Sequence, residues 1–239
     1  MKKPFLASAV AAFALSPFVS FAQGAVFPPL PSTPTVAHRG FSAVAPENTI
    51  SSIMAAVEVG AQGCEFDLYR SQDGVVYLVH DVNLKRTTGF DKKSDEATFA
   101  ELRRLDFGAW KGEAFKGEKL TTFDEALALL KFTGTRPIVE VAEDGFEAQV
   151  VDALRRFDLV ETAVVIDFSE ERVKKMRALE PKLCVGWLTG LRRNETRREC
   201  AERIIKTLKD CNTNVVDVHF AAVDAEFLQI LKDAGIRVM

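Results

Sequence analysis

From Val36 onward the sequence alternates between short β-branched runs and amphipathic stretches, and this alternation constrains the fold more than any other property of the 239 residues. Apolar runs begin near Val36, Cys64, Pro137, Thr162, Leu183, Val215 and Ile236. Helical periodicity fills the gaps at 49–59, 122–131, 146–157, 170–179, 195–209 and 224–234. Strands that are apolar throughout, joined by single helices, require a parallel sheet covered by helices. Gln72-Asp73-Gly74 is a turn signal, and Val75–Val79 returns too soon for a helical crossover, so that run pairs antiparallel with the second strand. Asp81–Leu120 is charged and rich in glycine, and reads as an excursion from the sheet. The pattern predicts an α/β fold, a (β/α)8 TIM barrel with a small insertion after the second strand. A doubly wound sheet is the alternative, but no Gly-rich phosphate loop follows the first strand. Asn48 is the expected N-cap of the first helix and Gly60 its C-cap.

The N-terminus is of a different kind. Lys2 and Lys3 precede an apolar run from Phe5 to Val19, and Ser20-Phe21-Ala22 offers small residues at a cleavage site. Residues 1–22 therefore read as a signal peptide, 23–34 as a Pro-rich lead-in, and 35–239 as the barrel. A retained anchor is the alternative. Export to the periplasm or outside the cell is expected, with no stable membrane span after cleavage. With 31 Lys and Arg against 34 Asp and Glu there is no cationic excess, so a nucleic-acid partner is not expected. Cys64, Cys184, Cys200 and Cys211 would meet an oxidising compartment. They contain no CxxC pair, and on one helix Cys200 and Cys211 would lie about 16 Å apart. Buried or free thiols are expected for most of them.

Parallel barrels carry their chemistry where strands end. The three histidines, His38, His80 and His219, all fall at such positions. Glu65-Phe66-Asp67 places two carboxylates on one face of a strand, where they repel unless a cation neutralises them. With Glu140 from the next parallel strand they make three hard oxygen donors, suited to one divalent cation, Ca²⁺ or Mg²⁺. The alternative is an edge strand with both carboxylates in solvent. His38 and His80 suit an acid/base pair, and Arg39 offers a fixed cationic fork for phosphate. Asp144 and Glu147 read as solvated charge, as do Lys92 and Lys93. The cluster Arg192, Arg193, Arg197 and Arg198 reads as a solvated helix start, with attraction of an anionic substrate as the alternative.

Several of these residues form a longer pattern. Val36-Ala37-His38-Arg39-Gly40, Pro46-Glu47-Asn48-Thr49, Glu65-Phe66-Asp67, Asp73-Gly74 and His80-Asp81 together resemble the glycerophosphodiester phosphodiesterase family. Arg86-Thr87-Thr88-Gly89 and the stretch from Phe115 to Glu125 resemble that family's insertion. The resemblance implies a hydrolase that cleaves a small-molecule glycerophosphodiester into an alcohol and glycerol 3-phosphate. It implies that Glu65, Asp67 and Glu140 hold the divalent ion, that His38 and His80 act as general base and general acid, and that Arg39 holds the phosphate. Glu47 and Asn48 would support the site from behind. Three departures stand out. Ala142 occupies the position of the family lysine two residues after the third-strand Glu, and Thr121 replaces a proline. The family's seventh strand also runs on beyond the point that corresponds to Met239, so the barrel is expected to be incomplete. A catalytically impaired remnant, a phosphate-binding module or a sphingomyelinase D-like enzyme are the alternatives.

Overall fold

The computed structural model describes residues 34–239, so the expected signal peptide and residues 23–33 of the lead-in lie outside the described residues. Its strands are β1 (Val36–Ala37), β2 (Gly63–Arg70), β3 (Val76–Leu78), β4 (Arg136–Val141), β5 (Val164–Asp167), β6 (Cys184–Thr189), β7 (Val215–Val218) and β8 (Arg237–Val238). All ladders along the path β1-β2-β4-β5-β6-β7-β8 are parallel, and β3 pairs antiparallel on β2. Helices α1 (Ile50–Glu58), α4 (Phe123–Leu130), α5 (Glu147–Arg156), α6 (Glu170–Leu179), α7 (Arg197–Asp210) and α8 (Ala225–Asp233) make the crossovers. Two four-residue helices, α2 (Lys85–Thr88) and α3 (Phe99–Leu102), lie in the excursion between β3 and α4. This is the (β/α) barrel architecture, with the hairpin and insertion after the second strand.

The strands sort their side chains by parity. Phe66 and Leu68, Val139 and Val141, Val165, Val185 and Trp187, and Val216 and Val218 face the helices and join one core with Ile53, Leu127, Val150, Met176, Ile204 and Phe227. Their neighbours Ile138, Val164 and Ile166 form a separate cluster on the other face. Burying Phe66 or Phe123 completely contributes roughly 1.5–3 kcal/mol each. Because the period is two, that burial also fixes Glu65 and Asp67 on the inner face.

Helix starts follow their caps. Thr196 and Glu199 form a capping box, so α7 begins at Arg197 rather than at Glu195. The expected cap of α1 needs correction. Thr49 is the N-cap, paired reciprocally with Ser52, while Asn48 sits before it at φ 58° with its side chain turned to the sheet. Gly60, at φ 78°, follows the cap residue Val59. Gly40 has a different necessity: a Cβ there would lie 2.3 Å from Ser52 Oγ, so only glycine lets the loop after β1 press against α1.

The excursion has a core of its own. Tyr77, Val79, Leu84, Ala97, Leu102, Phe107 and Leu120 pack together and are all buried. Irregular spacing hides this core from any periodicity test. Arg103 locks it to α4 through two bonds to Glu125, at 2.8 and 2.7 Å.

One charge differs in its surroundings from expectation. Glu147 is buried, 2% exposed, because α6 packs over it and Lys175 reaches its carboxylate at 2.8 Å. Asp144 is exposed but pairs with Arg172 at 2.9 Å. Of the basic cluster, Arg197 pairs with Asp224 and Arg198 with Glu226 on α8, while Arg192 and Arg193 face solvent. All four cysteines are free thiols; Cys64, Cys200 and Cys211 are buried.

Candidate active site

Parallel register brings the acidic residues together. Asp67 on β2 lies beside Glu140 on β4, and Glu65 lies two residues before Asp67 on the same face. Carboxylate oxygens of Glu65, Asp67 and Glu140 all lie within 4.8 Å of one another. Glu65 and Asp67 are 5% and 2% exposed. Burial, then the charge of Asp67, pushes the Glu65 carboxyl well above its ordinary range. The same two causes push Glu140 up to about 7. Burial raises Asp67 as well, against the hydrogen bond from Asn48.

Glu65 Oε1 is buried without a hydrogen-bond partner among the described residues. Three converging carboxylates with an unfilled acceptor are short of positive charge, and a hard divalent cation supplies what they lack. The donor set therefore fits such an ion.

The loop after β1 supplies the next residues. Arg39 adopts φ 56°, which turns its backbone N–H onto Glu65 Oε2 at 2.8 Å. Its carbonyl accepts from the Asn48 N–H and from Ser52 Oγ–H. The Arg39 side chain donates to Glu47 at 3.2 Å, and its Nε lies 3.7 Å from Asp67. That Nε is buried without a hydrogen-bond partner among the described residues and faces Asp67 as an ion pair. His38 stands at the open edge, its side chain 68% exposed and its Nε2 3.9 Å from Glu65 Oε2. Partial burial, then Arg39, holds its pKa below the ordinary histidine value.

His80 follows the hairpin strand, with Nδ1 2.7 Å from Asp81 Oδ1. The Asp81 carboxyl is raised by burial but lowered more by Arg86 and His80, which keeps it ionised. An ionised carboxylate only accepts, so Nδ1 carries the proton and Nε2 is the ring atom left for chemistry.

All eight residues expected at the site, His38, Arg39, Glu47, Asn48, Glu65, Asp67, His80 and Glu140, thus belong to one connected group at the strand ends. His219 does not join them: its ring accepts from the Ala221 N–H and lies against Phe220. Two residues at the site have no assigned role in the sequence reading. Asp81 orients His80, and Arg86 of the insertion bonds both Asp81 and Glu47. Only the adjacency of Asp81 to His80 hints at the first; Arg86 opens the insertion motif Arg86-Thr87-Thr88-Gly89, but nothing in the sequence shows which carboxylates it bonds.

A family model, the glycerophosphoryl diester phosphodiesterase family, matches residues 38–239. The chain belongs to this family. A glycerophosphodiester phosphodiesterase from Caldanaerobacter subterraneus subsp. tengcongensis is 30% identical over 161 residues, 65% of this chain and 66% of that protein. One from Bacillus subtilis is 30% identical over 190 residues, 72% of this chain and 65% of its own length. The matched part is thus just under two thirds of these relatives' length. Among solved structures, a glycerophosphodiester phosphodiesterase from Agrobacterium tumefaciens superposes with TM-score 0.73 at 25% identity, covering 87% of this chain and 85% of that one. A phosphodiesterase from Oleispira antarctica, in complex with its product sn-glycerol-3-phosphate, gives TM-score 0.76 at 28% identity, covering 86% and 83%. These superpositions show that the chain shares the fold of these solved phosphodiesterases.

Proposed function

We propose that this chain hydrolyses glycerophosphodiesters to an alcohol and glycerol 3-phosphate, with one divalent cation, Ca²⁺ or Mg²⁺. The observation that carries the reading is the grouping of two histidines, one buried guanidinium donor and three buried carboxylates at the strand ends. When bound by Glu65, Asp67 and Glu140, the cation supplies positive charge for the phosphoryl oxygens. Arg39, placed beside Asp67 and Glu47, offers its guanidinium charge to the phosphate. His38, held as a neutral imidazole, takes the proton from a glycerol hydroxyl as it attacks phosphorus. His80 acts as an imidazolium: it keeps its Nδ1–H bonded to Asp81 and gives its Nε2 proton to the departing alcohol, which leaves the neutral Nδ1–H ring. Water then opens the cyclic phosphate with the two proton transfers reversed, so atoms and protons balance over the cycle.

Export fits this substrate class. The signal-like residues 1–22 would place the enzyme in the periplasm or outside the cell, where a small diester diffuses to it. Among the described residues no helix is long and apolar enough to cross a membrane. Ala142, which leaves the site one cation short of the family pattern, favours a second reading, a phosphate-binding module with weak or no turnover. One assay separates the two. The purified chain is incubated with glycerophosphocholine and Ca²⁺ or Mg²⁺, and glycerol 3-phosphate release is compared with that of His38→Ala. Release by the unaltered chain alone supports the enzyme; equal background from both leaves only the binding module.

A further inference from the structure

Arg86 lies outside the barrel strands, yet it touches both halves of the site. Its Nε donates to Asp81 Oδ2 at 2.5 Å, and its Nη2 and Nη1 donate to Glu47 at 2.7 and 3.0 Å. Asp81 in turn holds His80 Nδ1 at 2.7 Å, and Glu47 accepts from Arg39 at 3.2 Å. One guanidinium therefore spans two carboxylates, of which one orients the imidazole and the other steadies the cation beside Asp67.

We propose that Arg86 is a positioning residue that uses this double clamp to set His80 and Arg39 together, so that the insertion is part of the catalytic apparatus. The inference rests on the acid/base and phosphate roles given above to His80 and Arg39. Three physical points support it. First, without a cation between them Asp81 and Glu47 would repel, and a carboxylate that swings away from His80 frees the ring to change tautomer and rotate. Second, only a planar fork can bond two carboxylates with fixed geometry; a lysine supplies one point charge. Third, Arg86 is itself fixed, since the Trp110 ring lies 5.7 Å from its guanidinium carbon and the adjacent Thr88 and Gly89 close a short helical turn. The core beneath, with Leu84 and Phe107 buried, seats that turn on β3. The proposal explains why an excursion remote from the strand ladder has its own apolar core.

The test uses Arg86→Ala and Arg86→Lys in the full chain, with two independent readouts. Nitrogen-detected NMR of the histidine rings reports His80 without any assay. At a pH where the ring is neutral, the expected result is a single Nδ1-protonated tautomer in the unaltered protein and a mixture in Arg86→Ala, while the thermal midpoint changes little. An unchanged tautomer in Arg86→Ala would overturn the clamp, whether or not the chain proves to be an enzyme. In kinetics, Arg86→Ala should lower kcat roughly 100-fold, the lower end of what acid/base positioning supplies. KM should rise as well, because Arg39 loses its support. Arg86→Lys should recover little of the loss. Arg86 is 44% exposed at its side chain, so free guanidinium ion can enter the gap; millimolar guanidinium should restore activity to Arg86→Ala but not to His80→Ala. Full activity in Arg86→Ala, or rescue by ammonium as good as by guanidinium, would sink the proposal.

Discussion

Asn48 and Asp67 hold each other through two reciprocal hydrogen bonds. Asn48 Nδ2 donates to Asp67 Oδ2 at 2.8 Å, and the Asp67 backbone N–H donates to Asn48 Oδ1 at 3.2 Å. Both residues are buried, and Asn48 reaches this geometry only from a left-handed backbone at φ 58°. The bond pair orients one acidic side chain and, through the same residue, docks the loop that carries His38 and Arg39.

That double role can be separated by mutation. Asn48→Gly keeps the left-handed backbone at no steric cost and loses both hydrogen bonds, so it should destabilise the fold by about 2 kcal/mol. Asn48→Ala loses the same bonds and adds left-handed strain, about 1 kcal/mol more. Thermal midpoints should fall in the order unaltered, Asn48→Gly, Asn48→Ala, with steps of roughly 2–4 °C per kcal/mol. Equal midpoints for the unaltered protein and Asn48→Gly would mean the bonds contribute nothing.

Glu65→Gln should act in opposite directions with and without a divalent ion. In chelator it removes one of three mutually repelling buried carboxylates, and the midpoint should rise. With Ca²⁺ or Mg²⁺ at a hundred times its dissociation constant, the unaltered protein should gain about 2.7 kcal/mol, which Glu65→Gln should lose. An undiminished midpoint shift in the variant would exclude Glu65 from the ion's ligands.

The pH dependence follows from Glu140. Burial, then Asp67, pushes its carboxyl from 4.5 up to about 7, so the folded chain binds this proton more tightly than the unfolded one. The stability so contributed is complete below about pH 4.5 and is lost as pH rises through about 7. Ion binding has the opposite slope, because the ligand must be deprotonated. Chelated protein should therefore grow less stable between pH 5 and 8, roughly, while affinity for the ion rises across the same interval. Calorimetric titrations at several pH values check this, and Glu140→Gln should flatten the slope of stability against pH. A slope unaltered by that substitution would assign the proton elsewhere.

Arg203 tests a purely structural lock. Its guanidinium binds Glu195 at 2.7 and 2.8 Å and the Gly190 carbonyl at 2.8 Å, and it is only 14% exposed. Arg203→Ala leaves Glu195 without a cation in a nearly closed site, at a cost of roughly 3 kcal/mol. The midpoint should fall by about 6–12 °C, while KM for the diester changes little. A stable variant with altered KM would instead place Arg203 in substrate binding.

How much of this is legible in the sequence depends on locality. Strand parity alone puts Glu65 and Asp67 on one face, and the alternation of strands and helices orders the sheet, so Glu140 follows from counting strands. Cap chemistry is local too, yet Asn48 misleads. It has the composition of an N-cap and the position before one, and only the contact with Asp67, 19 positions away in sequence, shows that Thr49 caps instead. The Arg86 clamp is less legible still. Its partners come from the loop before α1 and the end of the hairpin, and nothing in the sequence near Arg86 records either distance. Glu147 is hidden for the same reason, since α6 supplies its burial and its lysine.

Ala142 offers the sharpest test of the site's charge balance. Its backbone N–H donates to the Leu68 carbonyl, which continues the β4 ladder, so its side chain shares the face of Glu140. Glu65, Asp67 and Glu140 converge near that region beside Arg39, so until a divalent cation is bound an anionic diester entering it meets a net negative field. Ala142→Lys would place an ammonium on the approach to the site. At about 4 Å a unit pair is worth roughly 1 kcal/mol in water and 4 kcal/mol near a protein surface, so a tenfold gain in kcat/KM, about 1.4 kcal/mol, is a modest expectation. The same lysine attracts the three carboxylates and competes with the cation, whose dissociation constant should rise by a similar factor. Ala142→Met controls for size. If lysine lowers KM and weakens the ion while methionine does neither, the missing charge limits the unaltered chain. If both give the same gain, the effect is one of volume, and the shortage of positive charge at Ala142 has no catalytic consequence.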